Sequence, residues 1–167
     1  NGDYYGGVRG HLYRMPAGPP STWAHIGFLV AKINDAEIAG PGGERLVGLG
    51  GGVYTGGPGE LLVPTAWHYD LGTDRRAIAV DPTNPDRWVT GGVGAFFDNA
   101  QIVILTNGGQ TFAKVYEVFG AGVVQDIAFD PSNPLRAVAG MFPADFGNVA
   151  LTRSTNGGAS SVRVPGT

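Results

Sequence analysis

The chain has 167 residues, with 29 Gly and 12 Pro, and it is 43% hydrophobic but only 15% charged. This composition excludes a disordered chain, which needs low hydrophobicity and high charge. The net charge of −3 comes with scattered basic residues, so we expect no nucleic-acid partner, which would require a clustered basic face. The absence of Cys excludes disulfides, thiolate metal sites and cysteine nucleophiles.

Short apolar runs broken by Gly or Pro predict strands along the whole chain, since no window holds a helical period. The expected strands are 26–33, 44–49, 60–69, 77–80, 87–91, 101–105, 113–118, 124–129, 136–140 and 149–153. No apolar run approaches the ~20 residues of a spanning helix, so we expect no transmembrane segment. Because the chain begins with Asn1, we expect a processed product or part of a longer protein.

A repeat at a spacing of 49 residues connects the second half of the chain to itself. The segment 77–112 aligns without a gap with 126–161, with sixteen identities in thirty-six pairs. Each copy has an Asp-Pro-x-Asn-Pro turn, with Asp81 and Asn84 in the first copy and Asp130 and Asn133 in the second. Such Asp and Asn side chains bond to the backbone of their own turn, and the Asn-Gly-Gly that follows supplies positive φ angles.

A fixed period filled with short strands and Gly turns predicts an all-β fold, a β-propeller of four-stranded antiparallel blades. We expect a single partial propeller over 1–167. Its parts are a half blade at 4–23, a degenerate blade at 24–70, and clear blades at 77–118 and 126–165. These amount to about three and a half blades, whereas closed propellers have roughly four to eight. We therefore expect missing blades or a partner that completes the ring.

Two segments resemble the Asp-box (bacterial neuraminidase repeat), whose signature is Ser-x-Asp-x-Gly-x-Thr-Trp. They are Asn107-x-Gly109-x-Thr111-Phe112 and Ser154-x-Asn156-x-Gly158-x-Ser160-Ser161. The Asp-Pro-x-Asn-Pro turn is similar to that of the xyloglucanase, sortilin and photosystem II assembly-factor branches of this group. The resemblance implies a propeller that is often extracytoplasmic and engaged with glycans or proteins. It does not imply an enzyme, because the box is a structural hairpin away from the family's active sites.

Two acids break the repeat and are the candidate catalytic residues. Asp126 stands where the preceding copy has Ala77, and Asp145 stands where it has Phe96. Glycoside hydrolysis needs two carboxyl groups about 5–9.5 Å apart, which motivates the choice. The alternative for each is an ordinary solvated turn acid.

Trp67, His68 and Tyr69 form the densest aromatic cluster and are candidates for stacking against a sugar, the alternative being packing between blades. Tyr13-Arg14-Met15-Pro16 faintly resembles the sialidase Tyr-Arg-Ile-Pro motif, in which the Arg clamps the substrate carboxylate. The three His share no ligand spacing, so we expect no metal and no cofactor.

The leading hypothesis is a non-catalytic propeller scaffold or recognition module within an extracytoplasmic assembly. Its partner would be another protein, a second copy of itself, or a glycan. The first alternative is a fragment of a xyloglucanase-type glycoside hydrolase, and the second is a sialidase fragment.

Overall fold

A computed structural model describes eleven stretches of the chain, and every structural statement below concerns them. They are 4–8, 11–19, 22–28, 34–40, 45–49, 52–57, 62–67, 74–93, 99–119, 122–142 and 150–165. These stretches contain fifteen β-strands and one 3-10 turn, Asn107–Gly109. Within them, no helix has the length and apolar character needed to cross a membrane.

The strands form four antiparallel sheets in which each strand pairs with the next one along the chain. Sheet A consists of β1 (Tyr4–Val8), β2 (His11–Met15) and β3 (Ala24–Phe28). Sheet B consists of β4 (Asp35–Ala39), β5 (Arg45–Leu49), β6 (Val53–Gly56) and β7 (Val63–Pro64). Sheet C consists of β8 (Asp74–Asp81), β9 (Asn84–Val93), β10 (Asn99–Thr106) and β11 (Thr111–Phe119). Sheet D consists of β12 (Val123–Asp130), β13 (Asn133–Phe142), β14 (Ala150–Ser154) and β15 (Val162–Arg163). The predicted all-β architecture is confirmed, with three four-stranded antiparallel sheets and one three-stranded sheet.

The first sheet extends further than the sequence pattern indicates. β3 pairs with β2 in the register Tyr13↔His25, so sheet A has three strands and includes residues that were expected to open the next blade at 24. Sheet B begins only at Asp35. The apolar run at 26–33 predicts a strand but carries no information about the strand with which it pairs.

The repeat in sequence is also a repeat in backbone geometry. β8 and β9 recur as β12 and β13 with every boundary displaced by the same 49 residues. The register irregularities recur as well, between Arg75 and Ala77 in sheet C and between Val124 and Asp126 in sheet D. Equivalent positions in the two sheets can therefore be compared one by one.

Two apolar cores hold sheets B, C and D together, and sheet C contributes to both because its side chains alternate between its two faces. The core between B and C contains Ala39, Val53, Trp67, Ile78, Trp88, Val103 and Leu105. The core between C and D contains Ala77, Ala79, Val89, Ala100, Ile102, Ile104, Val124, Ile127, Ala139, Met141 and Ala150. The first strands β4, β8 and β12 consequently lie in series, with β8 in the middle.

Candidate acidic site on the inner strands

Three carboxylates lie on the first strands of sheets B and D. Asp35 and Glu37 alternate along β4 and so point to the same side of sheet B, while Asp126 lies on β12. The charges of Asp35 and Asp126 both act on Glu37, which places the three acids in one electrostatic neighbourhood.

The Asp35 side chain connects sheets B and C by accepting hydrogen bonds from backbone N–H groups of both. Its Oδ1 accepts a hydrogen bond from the Ala36 N–H at 2.9 Å, and its Oδ2 accepts one from the Ile78 N–H on β8 at 3.1 Å. Asp126 repeats the first of these contacts, because its Oδ1 accepts from the Ile127 N–H at 2.9 Å. Ile127 is the repeat equivalent of Ile78.

The environment of Glu37 raises the pKa of its carboxyl group. The largest cause is the loss of hydration where protein atoms surround the carboxyl, although the side chain as a whole is exposed. Repulsion from Asp35 and, more weakly, from Asp126 acts in the same direction, and the hydrogen bond from the Ile38 N–H opposes it. A raised pKa shifts a carboxyl group toward its protonated form, which is the direction that a proton donor requires.

Glu37 also borders an open cleft of about 420 Å³. The cleft lies between β4 and the Asp-Pro turn of sheet C, with Val80, Pro82 and Pro85 on the turn side. Its size is in the range of small-ligand sites. Nothing in the repeat identifies Glu37, because β4 lies outside the aligned segments. The sequence signal that was available is the Asp35-x-Glu37 alternation on a strand.

The other catalytic and ligand-binding candidates that the structure describes are not among the residues that line this cleft. Asp126 is exposed on β12, and Arg14 is half-buried on β2 of sheet A. Trp67 is buried in the core between sheets B and C, with its ring 6.0 Å from that of Phe112. That ring is occupied by packing rather than presented to a sugar. Asp145, His68 and Tyr69 lie outside the described residues.

The Asp-Pro turns use their polar side chains in the same way in both repeats. Asp81 Oδ1 accepts from the N–H and hydroxyl of Thr83, and Asp130 Oδ1 accepts from the same groups of Ser132. The side-chain carbonyls of Asn84 and Asn133 each accept from the N–H two residues later, at 3.1 Å. These four side chains therefore act on their own turns.

The two Asn-Gly-Gly turns pack onto the preceding sheet. The carbonyl of Gly109 accepts from the N–H of Ala66, just after β7 of sheet B, at 2.8 Å. The carbonyl of Asn156 accepts from Arg87 of sheet C at 3.1 Å, and the carbonyl of Gly157 accepts from the same guanidinium. Gly158 takes φ +86°, and a Cβ there would lie 2.6 Å from Val89. Only Gly fits such a position.

Side-chain bonds close each turn internally. Asn156 Oδ1 accepts from the Ser160 N–H at 2.9 Å, and Ser154 Oγ accepts from the Gly158 N–H at 2.8 Å. In the other copy, Asn107 has φ +53° and the Thr106 and Thr111 hydroxyls are 2.6 Å apart.

A pair of His residues in sheet A was not anticipated. His11 Nδ1 lies 3.1 Å from His25 Nε2, because the hairpin between β2 and β3 brings the two together. Tyr13 packs against His25 with its ring 5.4 Å away. Among the described residues, no group of three or more His, Cys, Asp or Glu is arranged to hold a metal ion.

Comparison with solved structures identifies the architecture. An ancestral GH74 enzyme superposes with a TM-score of 0.77 at 18% identity, covering 98% of this chain and 22% of that one. The GH74 xyloglucanase from Xanthomonas campestris gives 0.72 at 15% identity, covering 95% and 27%. A putative TolB from Agrobacterium tumefaciens gives 0.69 at 13% identity, covering 99% and 58%. The fold is a partial β-propeller.

These similarities establish the fold alone, because the identities are low. No family model matches the sequence, and no curated protein matches it. The chain spans about a quarter of the length of the two GH74 proteins and more than half of the TolB protein. The neighbours thus include GH74 enzymes and also propellers of other kinds.

Proposed function

We propose that this chain is a non-catalytic β-propeller module of the Asp-box type, which acts by binding another macromolecule in an extracytoplasmic assembly. The observation that carries this proposal is that the acidic side chains accept hydrogen bonds from the backbone of the strands and turns. Asp35, Asp81, Asp126 and Asp130 all accept hydrogen bonds from backbone N–H groups of strands or turns. These hydrogen bonds give the four carboxylates a structural role in the strands and turns, which supports a module without turnover.

A turnover assay tests this proposal. The purified chain would be incubated with a panel of soluble β-glucans that includes xyloglucan, and released reducing ends would be measured. We expect no release above that of a heat-inactivated sample, and we expect Glu37→Gln to behave as the wild type does. Release that disappears in Glu37→Gln would contradict a non-catalytic role.

A second candidate function is that of a glycoside hydrolase fragment, and the raised pKa of Glu37 beside two carboxylates favours it. In this case Glu37 would donate a proton to the leaving oxygen, and a second carboxylate would act as base or nucleophile. Asp126→Asn would then reduce turnover together with Glu37→Gln. A sialidase role has less support, because Arg14 lies in sheet A while the acids lie in sheets B and D.

Binding is tested separately by electrophoresis of the native chain in gels containing xyloglucan. Retarded migration that Glu37→Gln diminishes would identify the cleft beside sheet C as a glycan site. Equal migration with and without xyloglucan would argue against this glycan and favour a protein as the partner of the proposed module.

A further inference from the structure

The two Asn-Gly-Gly turns have identical sequences but hold their asparagine differently. Each is Thr-Asn-Gly-Gly, at 106–109 in sheet C and at 155–158 in sheet D. Asn107 and Asn156 are both exposed, and the backbone carbonyl of each accepts from the N–H three residues later. A difference in chemistry between the two asparagines therefore arises from the fold and not from their neighbours in sequence.

The side-chain amide of Asn156 is bonded at both ends. Its Oδ1 accepts from the Ser154 hydroxyl and from the Ser160 N–H, each at 2.9 Å, and its Nδ2 donates to the Ser160 hydroxyl at 2.9 Å. The N–H of Gly157 donates to the Leu135 carbonyl on β13 at 2.7 Å. The amide of Asn156 and the backbone nitrogen that follows it are thus both committed to other partners.

Asn107 lacks these bonds. Within the described stretches, its side-chain amide makes no hydrogen bond, and the bond that Gly157 makes to β13 has no counterpart between Gly108 and β9. Asn107 is also the one non-Gly residue at positive φ in those stretches, so the two turns differ in backbone at the asparagine itself. The Asn107 side chain is therefore free to rotate toward the nitrogen of the next residue.

One substitution accounts for the loss of the Oδ1 bond. Ser154 supplies the hydroxyl that bonds Asn156, and this hydroxyl also accepts from the Gly158 N–H at 2.8 Å. The equivalent residue 49 positions earlier is Leu105, which is fully buried in the core between sheets B and C. A leucine side chain has no group that can bond an amide, so Asn107 lacks the partner that fixes its counterpart.

We propose that Asn107 deamidates spontaneously in the folded chain and that Asn156 is protected. The Gly108 backbone nitrogen attacks Cγ of Asn107, its proton passes to solvent, and the side-chain nitrogen leaves as ammonia, which gives a cyclic succinimide. Glycine permits this attack because it has no side chain to shield its nitrogen. Water then opens the ring. Opening at Cγ gives Asp, and opening at the backbone carbonyl gives isoaspartate, whose chain continues through the side chain.

The product would form beside a close contact between sheets B and C. Gly109 has φ +87°, and a Cβ there would lie 2.6 Å from Thr65, just after β7, and 2.7 Å from Trp88 on β9. Its carbonyl accepts from the Ala66 N–H. Isoaspartate at 107 inserts a methylene into the backbone of this turn and displaces the glycine against residues that leave no room. The modification should therefore weaken the contact between the two sheets.

Incubation of the folded chain at mildly alkaline pH, followed by peptide mapping with mass spectrometry, tests the proposal. We expect the mass gain of deamidation to accumulate about tenfold or more faster at Asn107 than at Asn156, because each hydrogen bond that must break before attack slows the step several-fold. Mapping separates both sites from Asn1-Gly2, which lies outside the described residues. The outcome does not depend on whether the module has turnover.

The same incubation in concentrated urea is the matched control. Because the two turns have the same sequence, the unfolded chain should deamidate equally fast at both. Equal rates at Asn107 and Asn156 in the folded chain, or an Asn107 that reacts only in urea, would overturn the proposal.

Two variants test the cause of the protection. Ser154→Ala removes the hydroxyl that bonds Oδ1 of Asn156, and Ser160→Ala removes the acceptor of its Nδ2. Each should raise the rate at Asn156 several-fold and leave the rate at Asn107 unchanged, with circular dichroism reporting that the chain is folded. Unaltered rates at Asn156 in both variants would show that these bonds do not protect it.

The effect on the sheets is measured on the aged protein. The fraction that carries isoaspartate at 107 should unfold at a lower urea concentration than Asn107→Asp, which carries the same charge on an unaltered backbone. Equal midpoints would contradict a weakened contact between sheets B and C.

Discussion

At the scale of single residues, equivalent side chains in the two repeats differ in how much protein surrounds them. Asp81 has a side chain that is 2% exposed, with Arg87 at 3.4 Å, whereas the Asp130 side chain is 31% exposed, with Arg136 at 4.0 Å. Burial removes water as an alternative partner, so an equal set of hydrogen bonds matters more at Asp81.

We therefore predict that Asp81→Ala destabilises the chain more than Asp130→Ala does. Removal of Asp81 leaves the Thr83 donors and the Arg87 guanidinium without a buried acceptor, which costs about 1–3 kcal/mol. The Asp130 partners are hydrated when that carboxylate is removed, so the loss is smaller. Urea unfolding of the two variants measures the difference, and equal losses would contradict the burial argument.

Glu37 gives stability a dependence on pH with a defined sign. Its pKa is raised in the folded chain, so the folded state binds more protons than the unfolded state between the two pKa values. Stability then falls as pH rises through that window. Glu37→Gln removes the ionisation, so we expect the variant to be more stable than wild type at neutral pH and to lose this advantage in acid. Unfolding measured across pH tests the sign, and a wild type that gains stability relative to the variant with rising pH would contradict it.

At the scale of strands and turns, the contact between sheets depends on one side chain that joins two turns. Arg87 connects the Asp-Pro turn of sheet C to the Asn-Gly-Gly turn of sheet D. Gly158 allows that turn to approach, because a Cβ would meet Val89. Both members of this contact, the Arg and the glycine turn, occur twice in the chain at a spacing of 49 residues.

Arg87→Ala should therefore lower stability in a way that Arg136→Ala does not. We expect a loss of about 1.5–3 kcal/mol for Arg87, because its guanidinium bonds neutral carbonyls and a buried carboxylate. Arg136→Ala should change stability by about 0.5 kcal/mol or less, because the Arg136 side chain is 67% exposed. Thermal unfolding of the pair checks this prediction, and equal effects would show that the link between turns contributes nothing.

The strands and turns also show what the sequence can and cannot predict. Alternation and the repeat predict β8, β9, β12 and β13, because periodicity and turn chemistry are local properties. The pairing of β3 with β2 depends on competition between two neighbouring sheets, which no local pattern records. Similarly, the substitution at 126 marks Asp126 as unusual, but its likeness to Asp35 emerges only from hydrogen bonds, since Asp35 lies outside the aligned repeat.

At the scale of the whole molecule, the sheets differ in how many of their faces are covered. Sheet C is enclosed by two cores, while sheet D has one covered face and one exposed face. Local opening is easiest where few apolar contacts must be broken. Sheet D should therefore be the less protected of the two.

Hydrogen exchange of β9 and β13, followed by mass spectrometry, tests this account most directly. The two strands have equivalent pairing on both edges, so a difference in exchange reports how well their faces are covered. We predict that β13 exchanges faster than β9, because one face of sheet D is exposed while both faces of sheet C are covered. Equal exchange of β9 and β13 would contradict an exposed face on sheet D.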